Sequence, residues 1–408
     1  MVTLVAGNSD LIGVEAAEGR RKMPPSRFFT NGNLSASNRI ARQINRNLIF
    51  NQIRTRRPIS RADLARASGL QRSTVSLIVE ELLAERWIIE GSIGESPRGR
   101  KPTFLDLNGQ RSVLALDIHP AQTTLAVIDL GGKILSEDSI GLPANPRNVI
   151  GTILRAIRKM FAAHRDRSFE GIGINLPGRF DPNLEKSIFA PNVDWPIGQT
   201  KSRVEQATGL PVVVDNVANA CALSEVWFGY SDSMSDLVVV NVSEGIGTGI
   251  FANGRLLRGE AGVAGEFGHV QLDPNGLRCG CGGIGCWETV ASNRAGMRYY
   301  EEITNKRLLS FDALLKLAKA GDAAAKEALY GMCKALGRGM HMIALALAPS
   351  EIVVVGDITT QWGLAGPAIE AEMRRYPLVR TPRLRPAQEG SKARLRSAVA
   401  LVMNANQL

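Results

Sequence analysis

An α/β chain of two or three domains is what these 408 residues predict, and three observations carry the prediction. The first is a change of pattern near Asn108, where a basic helical stretch gives way to short apolar runs alternating with helical periods. The second is charge: residues 1–108 hold 17 Lys and Arg against 10 Asp and Glu, a net +7 of the chain's +10. The third is a concentration of cysteine, three of five falling within eight residues. Hydrophobic content of 44% with 22% charged residues reads as a soluble globular chain. No apolar run approaches the length of a bilayer span, and the start (MVTLVAGNSD) lacks a basic region followed by an apolar core. A cytoplasmic protein with no membrane partner is therefore expected, and few, clustered cysteines fit a reducing compartment.

In chain order, residues 1–36 mix Gly, Ser, Asn, Pro and basic residues without periodicity and read as a flexible leader. From Ser37 the pattern is helical, with Ile40, Ile44, Leu48 and Ile49 on one face and Arg39, Arg42 and Arg46 on others. Then comes a run in which Ser60 can cap a short helix, small Ala65 permits a close crossing and Gly69 supplies a left-handed turn. Val75, Ile78, Val79 and Leu82 follow as a buried stripe. This predicts a helix-turn-helix. Its second helix would lie in the major groove of duplex DNA, with Gln71, Arg72, Ser73, Thr74 and Ser76 facing base edges and phosphates. Two strand-like runs, Trp87 to Glu90 and Pro102 to Leu107, flank a tip carrying Arg98, Arg100 and Lys101. Residues 37–108 thus read as a winged helix-turn-helix whose basic tip touches phosphates or enters a minor groove. One recognition helix reads few base pairs, so pairing into a homodimer or a higher homo-oligomer is expected.

Residues 109–408 form the α/β body. Val113–Ile118 and Thr124–Asp129 predict a hairpin, with its turn placed at Leu130 to Lys133. A helix over about Arg147 to Ala163 precedes strands at Gly171 onward, Val212 to Asp215, Leu237 to Val242 and Ile352 to Gly356. The sum is two halves, each a sheet with helices. The helical segment Phe311 to Leu347 should pack internally or between subunits and is assigned no chemistry. Cys221 and Cys333 lie in apolar helical patterns and read as core.

The remaining cysteines lie in Cys279-Gly-Cys281-x4-Cys286, ten residues after His269 in Gly265-Glu-Phe-Gly-His269. One imidazole and three thiolates make a closed tetrahedral zinc set, with no coordination site left for water, so the zinc is expected to be structural. The same stretch, the loop 265–288, resembles the ROK family of repressors, open reading frames and sugar kinases. The family's hallmark reads G-E-x-G-H, nine residues, C-x-C-G-x-x-G-C-x-E, and Gly265 to His269 with Cys279 to Glu288 match it at every defined position. The resemblance runs from about residue 112 to the C-terminus and implies an actin-like, ribonuclease-H-like duplicated α/β body. The N-terminal module is similar to those of ROK repressors.

A kinase of that kind needs a phosphate-gripping hairpin and a carboxylate to accept the sugar hydroxyl proton. Where ROK kinases read D-x-G-G-T-K, this chain reads Asp117-Ile-His119-Pro120-Ala-Gln122, and a bulky His and a Pro without N–H replace the glycines. The second turn, Glu244-Gly-Ile-Gly247-Thr-Gly249, keeps its glycines but carries a Glu where the kinases tend to have Thr. Where they carry E-N-D-A-N, its Asp the general base, this chain reads Asp215-Asn216-Val217-Ala218-Asn219, and Val217 accepts no proton. No catalytic residue is therefore assigned. The resemblance places sugar contacts at Asn192, Asn216, Glu266, His269 and Glu288, all of the required types. The reading is a DNA-binding transcriptional regulator of carbohydrate metabolism, a repressor by resemblance, whose kinase-dead body senses a sugar or a protein partner. The alternative is an ATP-dependent sugar kinase with a DNA-binding extension.

Overall fold

A computed structural model of the chain describes residues 34–93, 103–120, 122–181, 186–189, 193, 195, 197–228, 236–375, 380–390 and 392–405. The wing tip with Arg98, Arg100 and Lys101, and Asn192, lie outside the described residues, as does the leader up to residue 33. Helix α1 spans Leu34–Arg56 and so begins inside the expected leader. Contacts divide the chain into Met1–Ile44 and Asn45–Leu408. The expected apolar face of α1 needs one correction: Ile44 is 61% exposed, and the buried side chains are Ile49, Phe50 and Ile53. The Ile-x3-Ile spacing that suggested one continuous stripe therefore outruns the core, which begins a turn later.

Strand β1 (Ile59–Ser60) leads into α2 (Arg61–Ser68) and α3 (Arg72–Ala84). Ser60 caps α2 in a reciprocal pair with Asp63, and Gly69 ends it at φ 71°, the left-handed region open to glycine. Val75, Ile78, Val79 and Leu82 are buried on α3 as the pattern requires. Strands β2 (Ile88–Ile93) and β3 (Thr103–Leu107) pair antiparallel, and β1 completes a three-stranded sheet beside β3. Three residues separate β3 from β4 (Arg111–Ile118), and they are held. Asn108 bonds through its amide to Arg86 O (2.9 Å) and through its N–H to Trp87 O (3.0 Å). The Arg111 guanidinium lies 3.8 Å over the Trp87 ring.

The body repeats one topology. β4, β5 (Gln122–Asp129) and β6 (Ile134–Gly141) form a meander. After α4 (Pro146–Ala163), β7 (Ser168–Leu176) joins β4 in parallel. A short hairpin, β8 (Arg179–Asp181) with β9 (Lys186–Phe189), and α5 (Thr200–Thr208) lead to β10 (Val212–Asn216), parallel to β7. Helix α6 (Val217–Trp227) crosses to the second half. There β11 (Leu237–Val242), β12 (Ile246–Ala252) and β13 (Arg255–Leu257) form the second meander. Helices α7 (Trp287–Ala291), α8 (Asn293–Thr304), α9 (Phe311–Lys319) and α10 (Ala323–Leu347) precede β14 (Glu351–Val355), parallel to β11. Helix α11 (Trp362–Met373) and β15 (Arg383–Pro386) follow, and α12 (Ala393–Ala405) returns to the first half. The sheet orders are β10-β7-β4-β5-β6 and β13-β12-β11-β14-β15, the same winding twice.

The turn at Leu130 to Lys133 joins β5 to β6, not β4 to β5 as the sequence suggested; the tight connection between β4 and β5 follows His119 and Pro120. Two adjacent glycines drew the turn to the wrong end of β5, and the alternating edge strand β6 lacked an apolar run to reveal it. Leu314, Leu315, Ala318, Ala325, Leu329 and Met332 of the helical segment are buried in the core of the second half. Cys221 and Cys333 are buried too, and burial pushes both thiols up to about 12. No helix among the described residues is long and apolar enough to cross a membrane.

Candidate functional site: a cleft beside a Cys3His cluster

A cavity opens between the two sheets, and its walls come from the ends of strands and the starts of helices. The carboxyl end of β10 delivers Asn216, which caps α6 by accepting from Ala218 N (2.8 Å) while its amide donates to Gly178 O. Its neighbour Val217 is 6% exposed and lines the cavity, so an apolar side chain occupies the expected position of the proton acceptor. Asp215 is no substitute, because its Oδ2 lies 2.6 Å from Arg258 Nη1 in an ion pair. Burial nonetheless pushes the Asp215 carboxyl up, against the pull of Arg258.

Glu266, His269 and Glu288 line the same cavity. His269 ends a 3-10 turn, Glu266–His269, which presses so closely on β12 that a Cβ on Gly268 would lie 2.1 Å from Ile246 O. Its Nε2 is 3.5 Å from Glu266 Oε2 on the cavity side, and its Nδ1 is 3.5 Å from Cys279 Sγ. Glu288, in the first turn of α7, stands 2.9 Å from Cys279 Sγ and 3.8 Å from His269 Nδ1. Four of the five sequence-assigned sugar residues thus converge, all except Asn192, which is not described. Burial raises the Glu266 carboxyl, offset in part by His269 and Arg179.

The metal-type cluster is preformed. One donor atom from each of His269, Cys279, Cys281 and Cys286 lies within 4.8 Å of the others. Tight backbone makes this possible: Cys279 N–H donates to Gly283 O (2.8 Å), Gly283 N–H to Cys281 Sγ (3.4 Å), and a Cβ on Gly285 would lie 1.5 Å from Asp273 O. Cys279 and Cys286 are buried while Cys281 is exposed. Burial pushes the Cys279 and Cys286 thiols up, so a closely set cation is what three thiolates would need here. The residues fit a closed N/S site for a divalent ion of zinc type. Trp287, next to Cys286, is fully buried and donates Nε1–H to Ala335 O (2.9 Å), fixing the loop to α10.

Sequence reasoning missed several cavity residues. Arg179, Asn219, Asn241, Arg294 and Arg394 all line it. Among the described residues Asn219 Oδ1 and Asn241 Oδ1 are buried without hydrogen-bond partners, two acceptors suited to hydroxyl donors. Asn219 stood in the quoted motif and offered a signal; Arg394, 277 positions from its partner Asp117, offered none. Arg394 holds Asp117 at 2.9 Å through both Nε and Nη2. His119 joins the group, with Nε2 3.1 Å from Asp117 Oδ2 and Nδ1 3.7 Å from Glu244 Oε1. The place expected of a phosphate-binding hairpin is filled by this charged cluster.

The candidate DNA-facing residues lie together at the start of α3, with Gln71, Arg72 and Ser73 exposed and Thr74 and Ser76 half-buried.

A duplicated α/β body with a polar cleft between its sheets and an adjacent His/Cys cluster is the architecture of sugar-kinase-like proteins. The chain belongs to the ROK family, whose profile matches residues 113–405. It is 31% identical over 348 residues to the xylose repressor of Bacillus spizizenii, covering 84% of this chain and 90% of that one. The solved structure of a ROK family transcriptional regulator, a homolog of the E. coli MLC protein, superposes with a TM-score of 0.71 at 26% identity, over 89% of this chain and 96% of the other. That of a ROK family glucokinase from Streptomyces griseus in complex with glucose and AMPPNP gives 0.66 at 31%, over 72% and 99%. The glucokinase matches the share of the chain that the body makes up, and the regulator extends further.

Proposed function

We propose that the chain is a carbohydrate-responsive transcriptional repressor: residues 37–108 bind an operator in duplex DNA, and residues 109–408 hold a sugar. Val217 carries the reading, because an apolar side chain stands where phosphoryl transfer would need a proton acceptor, in a cavity otherwise lined for hydroxyl groups. The cluster of Asp117, His119, Glu244 and Arg394 supports it, since these paired side chains occupy the turn where glycine amides would have to face a nucleotide's phosphates. The body is accordingly not an enzyme. The similarity to a xylose repressor supports both the DNA target and a sugar effector.

In this reading Gln71, Arg72, Ser73, Thr74 and Ser76 face the major groove, and Arg98, Arg100 and Lys101 grip backbone or minor groove. Asn192, Asn216, Glu266, His269 and Glu288 bind sugar hydroxyls. His269, Cys279, Cys281 and Cys286 hold one structural zinc, which supplies charge compensation and closes the loop, with no part in chemistry. The chain works in the cytoplasm as a homodimer or higher homo-oligomer. A second reading, a body that answers a protein partner and no small molecule, is separated by titration calorimetry against D-xylose, D-glucose and N-acetyl-D-glucosamine. Binding of one sugar with loss of operator affinity is expected, and no turnover of that sugar with ATP. Robust phosphorylation by the unaltered protein would overturn the proposal.

A further inference from the structure

Two helices that start in the cleft end on the DNA-reading module. α6 begins at Asn216 and Val217 in the cavity wall and ends at Trp227. α12 carries Arg394 into the same wall and buries Leu395, Val399 and Met403 in a core shared with Ile49, Phe50 and Ile53 of α1. Both helices lie on bare backbone: a Cβ on Gly249 would come 2.1 Å from Ala218 O, and one on Gly173 would come 2.4 Å from Ala398 O. Contacts that close leave no room for sliding, so each helix moves with the strands beneath it.

At the far end of α6, the Trp227 ring meets two residues of α1. Phe50 packs at 6.1 Å between centroids, and the Arg54 guanidinium lies 4.4 Å from the ring. Arg54 is 5% exposed. Its Nη2 donates to Asn51 Oδ1 (2.9 Å), while Nε and Nη1 are buried without hydrogen-bond partners among the described residues, as is Trp227 Nε1. Among the described residues no carboxylate pairs with it; burial and the neighbouring Arg57 charge both press against its ionised form. A buried cation with unmet donors destabilises the state that holds it, and a Met or Leu would fill the same space at less cost. Folding alone does not account for an arginine here.

We propose that the Arg54–Trp227 contact is the relay through which the cleft controls the DNA-reading helices, a conclusion that rests on the sugar-sensing reading above. Closure of the cleft shifts α6, seated on β12 of the second half, against α12, seated on β7 of the first, and Trp227 carries that shift to α1. The unmet guanidinium keeps the junction poised, because moving α1 off the ring lets Arg54 recover hydration.

The test is Arg54→Met in the full chain, with a duplex selected from a random pool by the unmodified protein and the sugars D-xylose, D-glucose and N-acetyl-D-glucosamine as probes. Melting temperature should hold or rise, and sugar affinity without DNA and operator affinity without sugar should stay within about twofold. The sugar-induced loss of operator affinity, about tenfold in the unmodified protein, should shrink below about threefold. An unchanged sugar response overturns the relay. Should Arg54→Met fail to fold, Trp227→Phe must weaken the response instead, and an intact response there is equally fatal. If none of the three sugars binds, the sugar-sensing reading has failed separately. The relay then stands on whether Asn216→Ala alters operator affinity in the native background and loses that effect beside Arg54→Met. Equal effects in both backgrounds refute it.

Discussion

His119 Nδ1 stands 3.7 Å from Glu244 Oε1, so a residue from the end of the first strand of one half is joined by charge to the glycine turn of the other. Burial works against the imidazolium, but the Asp117 carboxylate bonded to it and the Glu244 carboxylate paired with it outweigh that and raise His119 to about 9. The neighbouring His119 imidazolium holds Glu244 down at about 2, against its partial burial. Arg394 and Asp357 face the same group.

The pH dependence of stability follows. A raised histidine contributes fully below its unfolded value of 6.5 and loses its contribution as pH climbs to about 9. A depressed Glu244 contributes above its ordinary value of 4.5 and loses it as pH falls toward about 2. Stability from this cluster should therefore plateau between the two and decline on the alkaline side by on the order of 1–2 kcal/mol, given solvent screening at Glu244. Urea unfolding of the native chain and of His119→Gln between pH 6 and 9.5 measures it. Parallel curves for the two proteins would show that the cluster does not carry the dependence.

Metal content is the second expectation. Elemental analysis of protein purified without added metal should find one zinc per chain, and Cys281→Ser should lose it. Because metal binding is coupled to folding, the variant should melt lower and expose Trp287, which shares the loop anchored on Ala335. Trp287 lies against α10 so tightly that a Cβ on Gly339 would sit 1.9 Å from its ring. A folded, metal-free native protein with an unchanged melting point contradicts the assignment.

For DNA, Arg72→Ala should cost about 1–3 kcal/mol of operator affinity and blur preference at one base position. Arg98→Ala, Arg100→Ala and Lys101→Ala should instead weaken all duplexes alike, each lowering the slope of log affinity against log salt by about one. A competition series on selected and scrambled duplexes at two salt concentrations separates these outcomes. If Arg72→Ala leaves preference intact, α3 is not the reading helix.

What the sequence disclosed was local chemistry. Ser60, Gly69 and the buried stripe of α3 are set by caps, turns and periods a few residues long, and each stands where the pattern puts it. The His269–Cys286 cluster was legible for the same reason, with all four donors falling within eighteen residues. The hairpin turn went astray because glycines at 131 and 132 are a stronger local signal than His119-Pro120, although the latter makes the tighter connection. Arg394 and Arg54 were invisible. One reads as an ordinary charge at the start of α12 and the other as a solvated residue on α1, and only tertiary packing buries both. Asn216 was found by motif, yet its side chain also caps a helix and ties down Gly178, a load that spacing does not reveal.

The three residues between β3 and β4 carry a consequence for the operator. A reader on a long tether accepts half-sites over a range of separations, because slack in the chain absorbs the difference. Here Asn108 is pinned to Arg86 and Trp87, and Arg111 sits over the Trp87 ring, so there is little slack to give. Half-site spacing in a paired protein would then be dictated by how two bodies meet. A single inserted base pair, roughly a tenth of a turn of duplex, would have to be absorbed by the DNA.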